Sequence, residues 1–136
     1  MTKSYLATMV LLVLHQIDAA YWREWEMFHL PGGIQGFLLF NILVVPLVFL
    51  GYQHVILSSP KAFVSAAGCA ALGIATFVIH AGFAVTGHEQ FQLPLSMAII
   101  VLCLASGLWL LWELRGFRSS KAVADGRRDA ICRSER

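Results

Sequence analysis

Residues 4–33, SYLATMVLLVLHQIDAAYWREWEMFHLPGG, decide how the rest of the chain is read. Positions 4–14 form a mainly apolar run. Then come His15, Gln16 and Asp18, an aromatic and charged segment at 21–28, and the turn signal Pro31-Gly32-Gly33. A helix that only had to cross a membrane would not carry a His and an Asp three residues apart, because ionisable groups at that depth are costly and are usually there for function. The environment of this stretch is therefore the first question, and the purpose of its polar residues the second.

The composition answers the first. Of 136 residues 58% are hydrophobic and only 13% charged, about half the charged fraction of an ordinary soluble domain. Lys3, Arg23 and Lys61 are the basic residues before position 115, and the others all fall in 115–136. Such a chain cannot cover a water-facing surface, and it reads as a membrane protein. A spanning helix needs about 20 mainly apolar residues, and four segments meet this, at about 4–22, 34–56, 62–85 and 93–113. The connections carry turn chemistry: Pro31-Gly32-Gly33, then Ser58-Ser59-Pro60-Lys61, then Thr86-Gly87-His88-Glu89-Gln90. These runs do not alternate as barrel strands do. The expectation is an all-α integral membrane protein, an antiparallel four-helix bundle over 1–114 with a basic, disordered tail over 115–136. The first segment resembles the core of a secretion signal, but no small-x-small cleavage pattern follows it, so it reads as a retained span.

Lys and Arg set orientation. With four spans, Lys3, Lys61 and the basic tail share one side and Arg23 stands on the other. Both termini are expected in the cytoplasm and the protein in a bacterial inner membrane. The tail reads as a stop-transfer end that can meet anionic headgroups, and nucleic-acid binding is not expected. The bilayer is the expected partner, with a membrane-soluble ligand and a homo-oligomer as further partners. Small residues across 66–75 suit close helix packing. His54 and Glu113 are placed near cytoplasmic ends, within reach of water. Cys69, Cys103 and Cys132 imply no disulfide framework.

The polar residues fall in one layer. Counted from the outer ends of their spans, His15 lies about 10 Å deep at ~1.5 Å per residue, and Asp18, Asn41 and His80 lie at similar depths. At ~100° per residue, His15, Asp18, Trp22 and, if the helix continues, Glu26 form one stripe. Asp18 costs about 2.5–3.5 kcal/mol at membrane depth, so it should face the interior and have a partner. Four readings compete: interhelical polar glue; a metal site; an acid–base site acting on an apolar substrate; and a bis-His haem between His15 and His80. In the metal reading His15, Asp18 and His80 are ligands, and Glu24, Glu26 or His88 closes over them, Glu26 being the favoured cap. Two His and a carboxylate suit zinc or non-haem iron. Asn41 would orient the centre formed by His15, Asp18 and His80. The leading expectation is a metal-assisted or acid–base activity on a lipid-soluble or small ligand. Its alternative is a non-enzymatic subunit or lipid-binding module.

HQIDAAYWREWEMFHLPGGIQGFLLFN, residues 15–41, resembles the signature of an uncharacterised family of small bacterial four-span membrane proteins. That signature combines His-x-x-Asp, Tyr-Trp, Glu-Trp-Glu and Leu-Pro-Gly-Gly-Ile-Gln. More distantly, the chain is similar to HXXEE-domain membrane proteins. Here that motif reads His15-Gln16-Ile17-Asp18-Ala19, so the second carboxylate is missing. The closer resemblance covers about the first 45 residues. It implies the four-span fold and the site's location and brings no activity.

Overall fold

A computed structural model describes the backbone of residues 1–29, 31–85 and 93–134, and the side chains of these up to residue 117. The described residues are all-helical and contain no strand. The helices are α1 (Thr2–Tyr21), the single turn α2 (Glu24–Met27), α3 (Gly33–Ile56), α4 (Ala62–Val85) and α5 (Pro94–Ser134). Among the described residues, three segments are long and apolar enough to cross a membrane: Gly33–Ile56, Ala62–Val85 and Pro94–Phe117. α1 has 20 residues, but Lys3, His15, Gln16 and Asp18 dilute its apolar content, so it is not one of the three. α5 continues through the basic segment to Ser134, where the sequence pointed to a disordered tail. No proline interrupts that segment, and Ala, Arg and Lys are good helix formers.

Contacts between helices give their directions. Tyr5 donates its hydroxyl to the Val48 carbonyl at 2.9 Å, and Ser4 donates to Glu113 at 2.7 Å, so α3 and α5 run against α1. Gly73 of α4 approaches Thr8 of α1, and His80 faces His15, so α4 runs with α1. α1, α4 and α5 pack mutually, whereas α3 touches α1 and α4 and makes no contact with α5 among the described residues. Two glycines explain the tightness of one side. A Cβ at Gly73 would stand 2.9 Å from the Cys103 carbonyl oxygen, and one at Gly107 would stand 2.9 Å from that of Ala70. The backbones of α4 and α5 are therefore in contact, as small residues permit in membrane helices.

The core is built from Tyr5, Met9 and Leu12 of α1, Val48 and Val55 of α3, Ala62, Ala66, Cys69 and Ala70 of α4, and Cys103, Leu110 and Leu114 of α5. α3 contributes least. Its outer face, with Leu39, Ile42, Leu43 and Leu47, is exposed, and such a face suits lipid. At the end of the bundle where α1 begins, Glu113 also pairs with the N-terminal amine, and His54 bonds to Ser59 at 3.0 Å. Both side chains that were expected to reach water are tied to neighbours.

Candidate metal centre

The site begins where α1 stops. Trp22 caps the helix in an α conformation, and Arg23 then adopts φ 54°, in the left-handed region. For a residue other than glycine this region is uncommon and is typical of chain reversals. The reversal folds α2 back over the end of the helices. Glu24 and Trp25 are carried inward, at 4% and 8% exposure, and Glu26 is turned out to pair with Arg23.

This is where the structure departs from the expected cap. The placing of Glu26 above His15 required α1 to continue in phase through residue 26. One left-handed residue resets that phase, and Glu24 takes the inward position instead. The other suggested cap, His88, lies outside the described residues.

His15, Glu24 and His80 converge from three elements, with one ligand atom from each lying within 4.8 Å of the others. All three are buried. His80 Nε2 stands 3.2 Å from Glu24 Oε1 and His15 Nε2 stands 4.0 Å from Glu24 Oε2. The two imidazole rings meet edge to face, with centroids 4.8 Å apart. Phe28 abuts His80, and Phe83 abuts Phe28, which adds apolar cover.

The hydrogen bonds constrain what the cluster can be. His80 Nδ1 stands 2.7 Å from the Thr76 carbonyl oxygen. A carbonyl only accepts, so Nδ1 carries the proton and donates it. Nε2 then faces a carboxylate across 3.2 Å, and two lone pairs at that distance need a proton or a cation between them. A ring N–H held by a backbone carbonyl is also the usual orienting contact of a metal-bound histidine. Nδ1 of His15 is buried with no hydrogen-bond partner among the described residues. Ligands ~2.1 Å from a tetrahedral metal lie ~3.4 Å apart. His80 Nε2 and Glu24 Oε1, 3.2 Å apart, already stand near that separation.

The remaining expected site residues lie elsewhere. Asp18 accepts a 2.8 Å hydrogen bond from Ser96 in the first turn of α5, where helix N–H groups favour negative charge. Its second oxygen is buried with no hydrogen-bond partner among the described residues. Asp18 therefore ties α1 to α5 and is not a member of the three-residue cluster. Asn41 of α3 donates to the Phe37 carbonyl at 2.9 Å and lines the cavity beneath the cluster. Thr76 was not foreseen as a partner, although it stands one turn before His80 in the sequence. Ser96 could not be paired with Asp18 by any local signal.

The cavity has a volume of about 410 Å³ and lies between α1, α3 and α4, with α2 at one end. This is within the range of small-molecule sites, about 300–1,000 Å³. His15, Glu24 and His80 line it at the α2 end, together with Gln16 and Thr76. Its walls are otherwise mainly aliphatic and aromatic, from Met9 and Leu12 to Val44, Val48 and Leu72.

Fold and site together give an all-helical protein with three helices long and apolar enough to cross a membrane and a buried His–Glu–His cluster at the head of an apolar cavity. The chain belongs to a family of unknown function, DUF6713, which matches residues 1–117. That match ends with the apolar part of α5. No curated protein and no solved structure matches the chain.

Proposed function

We propose that this is a four-span inner-membrane protein that binds a divalent transition metal, zinc or non-haem iron, through His15, Glu24 and His80. The metal would act on a small lipid-soluble ligand held in the cavity below it. α1 supplies the remaining span, its polar face turned to α4 and α5, and the distribution of Lys and Arg puts both termini in the cytoplasm and the cluster in the outer half of the bilayer.

One observation carries this reading: three metal-ligating side chains from separate elements converge, fully buried, where an uncompensated carboxylate would be strongly unfavourable. Two His and one Glu leave a coordination position open, as catalytic zinc sites do. A bound metal would polarise an oxygen of the ligand or activate a water. The residues would orient it, exclude bulk water and present the apolar cavity to the ligand's tail. Asn41 and Gln16 would supply polar contacts along the wall, and Asp18 would hold α1 on α5.

Elemental analysis of the protein purified in mild detergent tests this. About one metal ion per chain is expected in the wild type, with loss in Glu24→Gln and in His80→Ala. Absence of metal from a wild type also incubated with Zn²⁺ or Fe²⁺ would reject the proposal. A second reading, in which the polar groups only fix helix packing, is favoured by the Ser96–Asp18 bond. It predicts that Glu24→Gln changes stability while no metal is present in either protein.

A further inference from the structure

We propose that the cavity accepts a single-chain monocarboxylate amphiphile, with its carboxylate on the cluster metal and its alkyl chain along the apolar walls; this rests on the metal reading above. Charge identifies the head group. A divalent metal with one Glu and two neutral His carries one net positive charge in apolar surroundings, and a monoanionic fourth ligand neutralises it. Among the described residues the cavity lining contains no Lys or Arg, so nothing in that lining balances the additional charge of a phosphate head group. Arg23, the nearby base, is turned outward onto Glu26.

The cavity's shape identifies the tail. From the level of His15 and His80 the walls descend to Met9 on α1 and Leu72 on α4. At ~1.5 Å per helical residue this depth is about 9–12 Å. An extended alkyl chain advances ~1.25 Å per methylene, from a ~1.5 Å carbon–carbon bond at the tetrahedral angle, so about eight to ten carbons fill it. Entry is lateral. Phe40, Ala75 and Ile79 line the cavity and are exposed, which places an opening between α3 and α4 on a face that lipid would cover.

Cobalt substitution separates the two proposals. The full chain is loaded with Co²⁺ in lipid nanodiscs, and its visible d–d absorption is followed during titration with decanoate, acetate or 1-decanol. Decanoate is expected to change the spectrum at a concentration at least ~100-fold lower than acetate, because each buried methylene contributes several-fold to affinity, and 1-decanol is expected to be far weaker. Val44→Trp, which fills the cavity, is expected to retain the Co²⁺ spectrum and lose the decanoate response. Ala75→Trp at the opening provides the same test if the first variant fails to fold. A wild type that takes up no Co²⁺ overturns the metal reading itself. A Co²⁺-loaded protein on which acetate or decanol equals decanoate overturns the amphiphile alone. Tryptophan variants that respond like the wild type overturn its placement in the cavity.

Discussion

Gly73→Ala and Gly68→Ala differ by five positions on one helix, and the structure predicts opposite outcomes for them. A methyl group at Gly73 would stand 2.9 Å from the Cys103 carbonyl oxygen and 3.0 Å from Thr8 Cγ2. The first neighbour is backbone and cannot rotate away, so α5 must retreat by a few tenths of an ångström. Overpacking of this kind costs about 1–3 kcal/mol. At Gly68 nothing lies within 4 Å, and only the helix-propensity gain of Ala over Gly remains, about 0.5–1 kcal/mol. That gain is common to both variants, so their difference isolates the steric cost, about 5- to 150-fold in the folding equilibrium. Reversible unfolding in mixed micelles, titrated with SDS and followed by pulse proteolysis, measures it. Because Thr8 belongs to α1, the methyl also wedges α1 away from α4, two turns from His15 and His80. Metal affinity should therefore fall in Gly73→Ala and not in Gly68→Ala. Equal stability for the two variants would refute backbone contact between α4 and α5.

Further substitutions probe the site directly. Glu24→Gln should abolish metal retention while Glu26→Gln leaves it unchanged in elemental analysis; the reverse result would mean that α1 continues in phase and that the reversal at Arg23 is wrong. Ser96→Ala removes the hydroxyl that satisfies Asp18 and should cost about 1–3 kcal/mol, and Asp18→Asn in the same background should recover part of it, both measured by the SDS titration. Tyr5→Phe loses a buried bond to the Val48 carbonyl and should cost about 1 kcal/mol, an effect that an unchanged midpoint would exclude. A reporter fused after residue 136 should be active only in the cytoplasm, and activity only on the outer side would overturn the proposed orientation.

Helical class, three of the four expected apolar segments and the layer that holds His15 and His80 are legible in the sequence by itself. Each depends on quantities that are local along the chain: hydropathy over about 20 residues, turn residues, and a rise of ~1.5 Å per residue. The stripe through His15 and Asp18 is equally local, and α1 carries both residues.

Which carboxylate meets the histidines is not local. A single left-handed residue at Arg23 resets the helical phase, so Glu24 enters and Glu26 leaves, and no periodicity count anticipates such a reset. Nor does spacing pair Asp18 with Ser96, 78 residues away; only the docking of α5 on α1 brings them together. The cavity is likewise a property of the assembled helices. Gly73 and Gly107 let α5 close onto α4, while α3 closes onto α1 and α4 near Gly51 and presents Phe37, Phe40, Val44 and Val48 to the space beyond. The space left between them lies directly beneath three clustered side chains that the sequence scatters across 66 positions, because tertiary packing alone determines which gaps between helices remain unfilled.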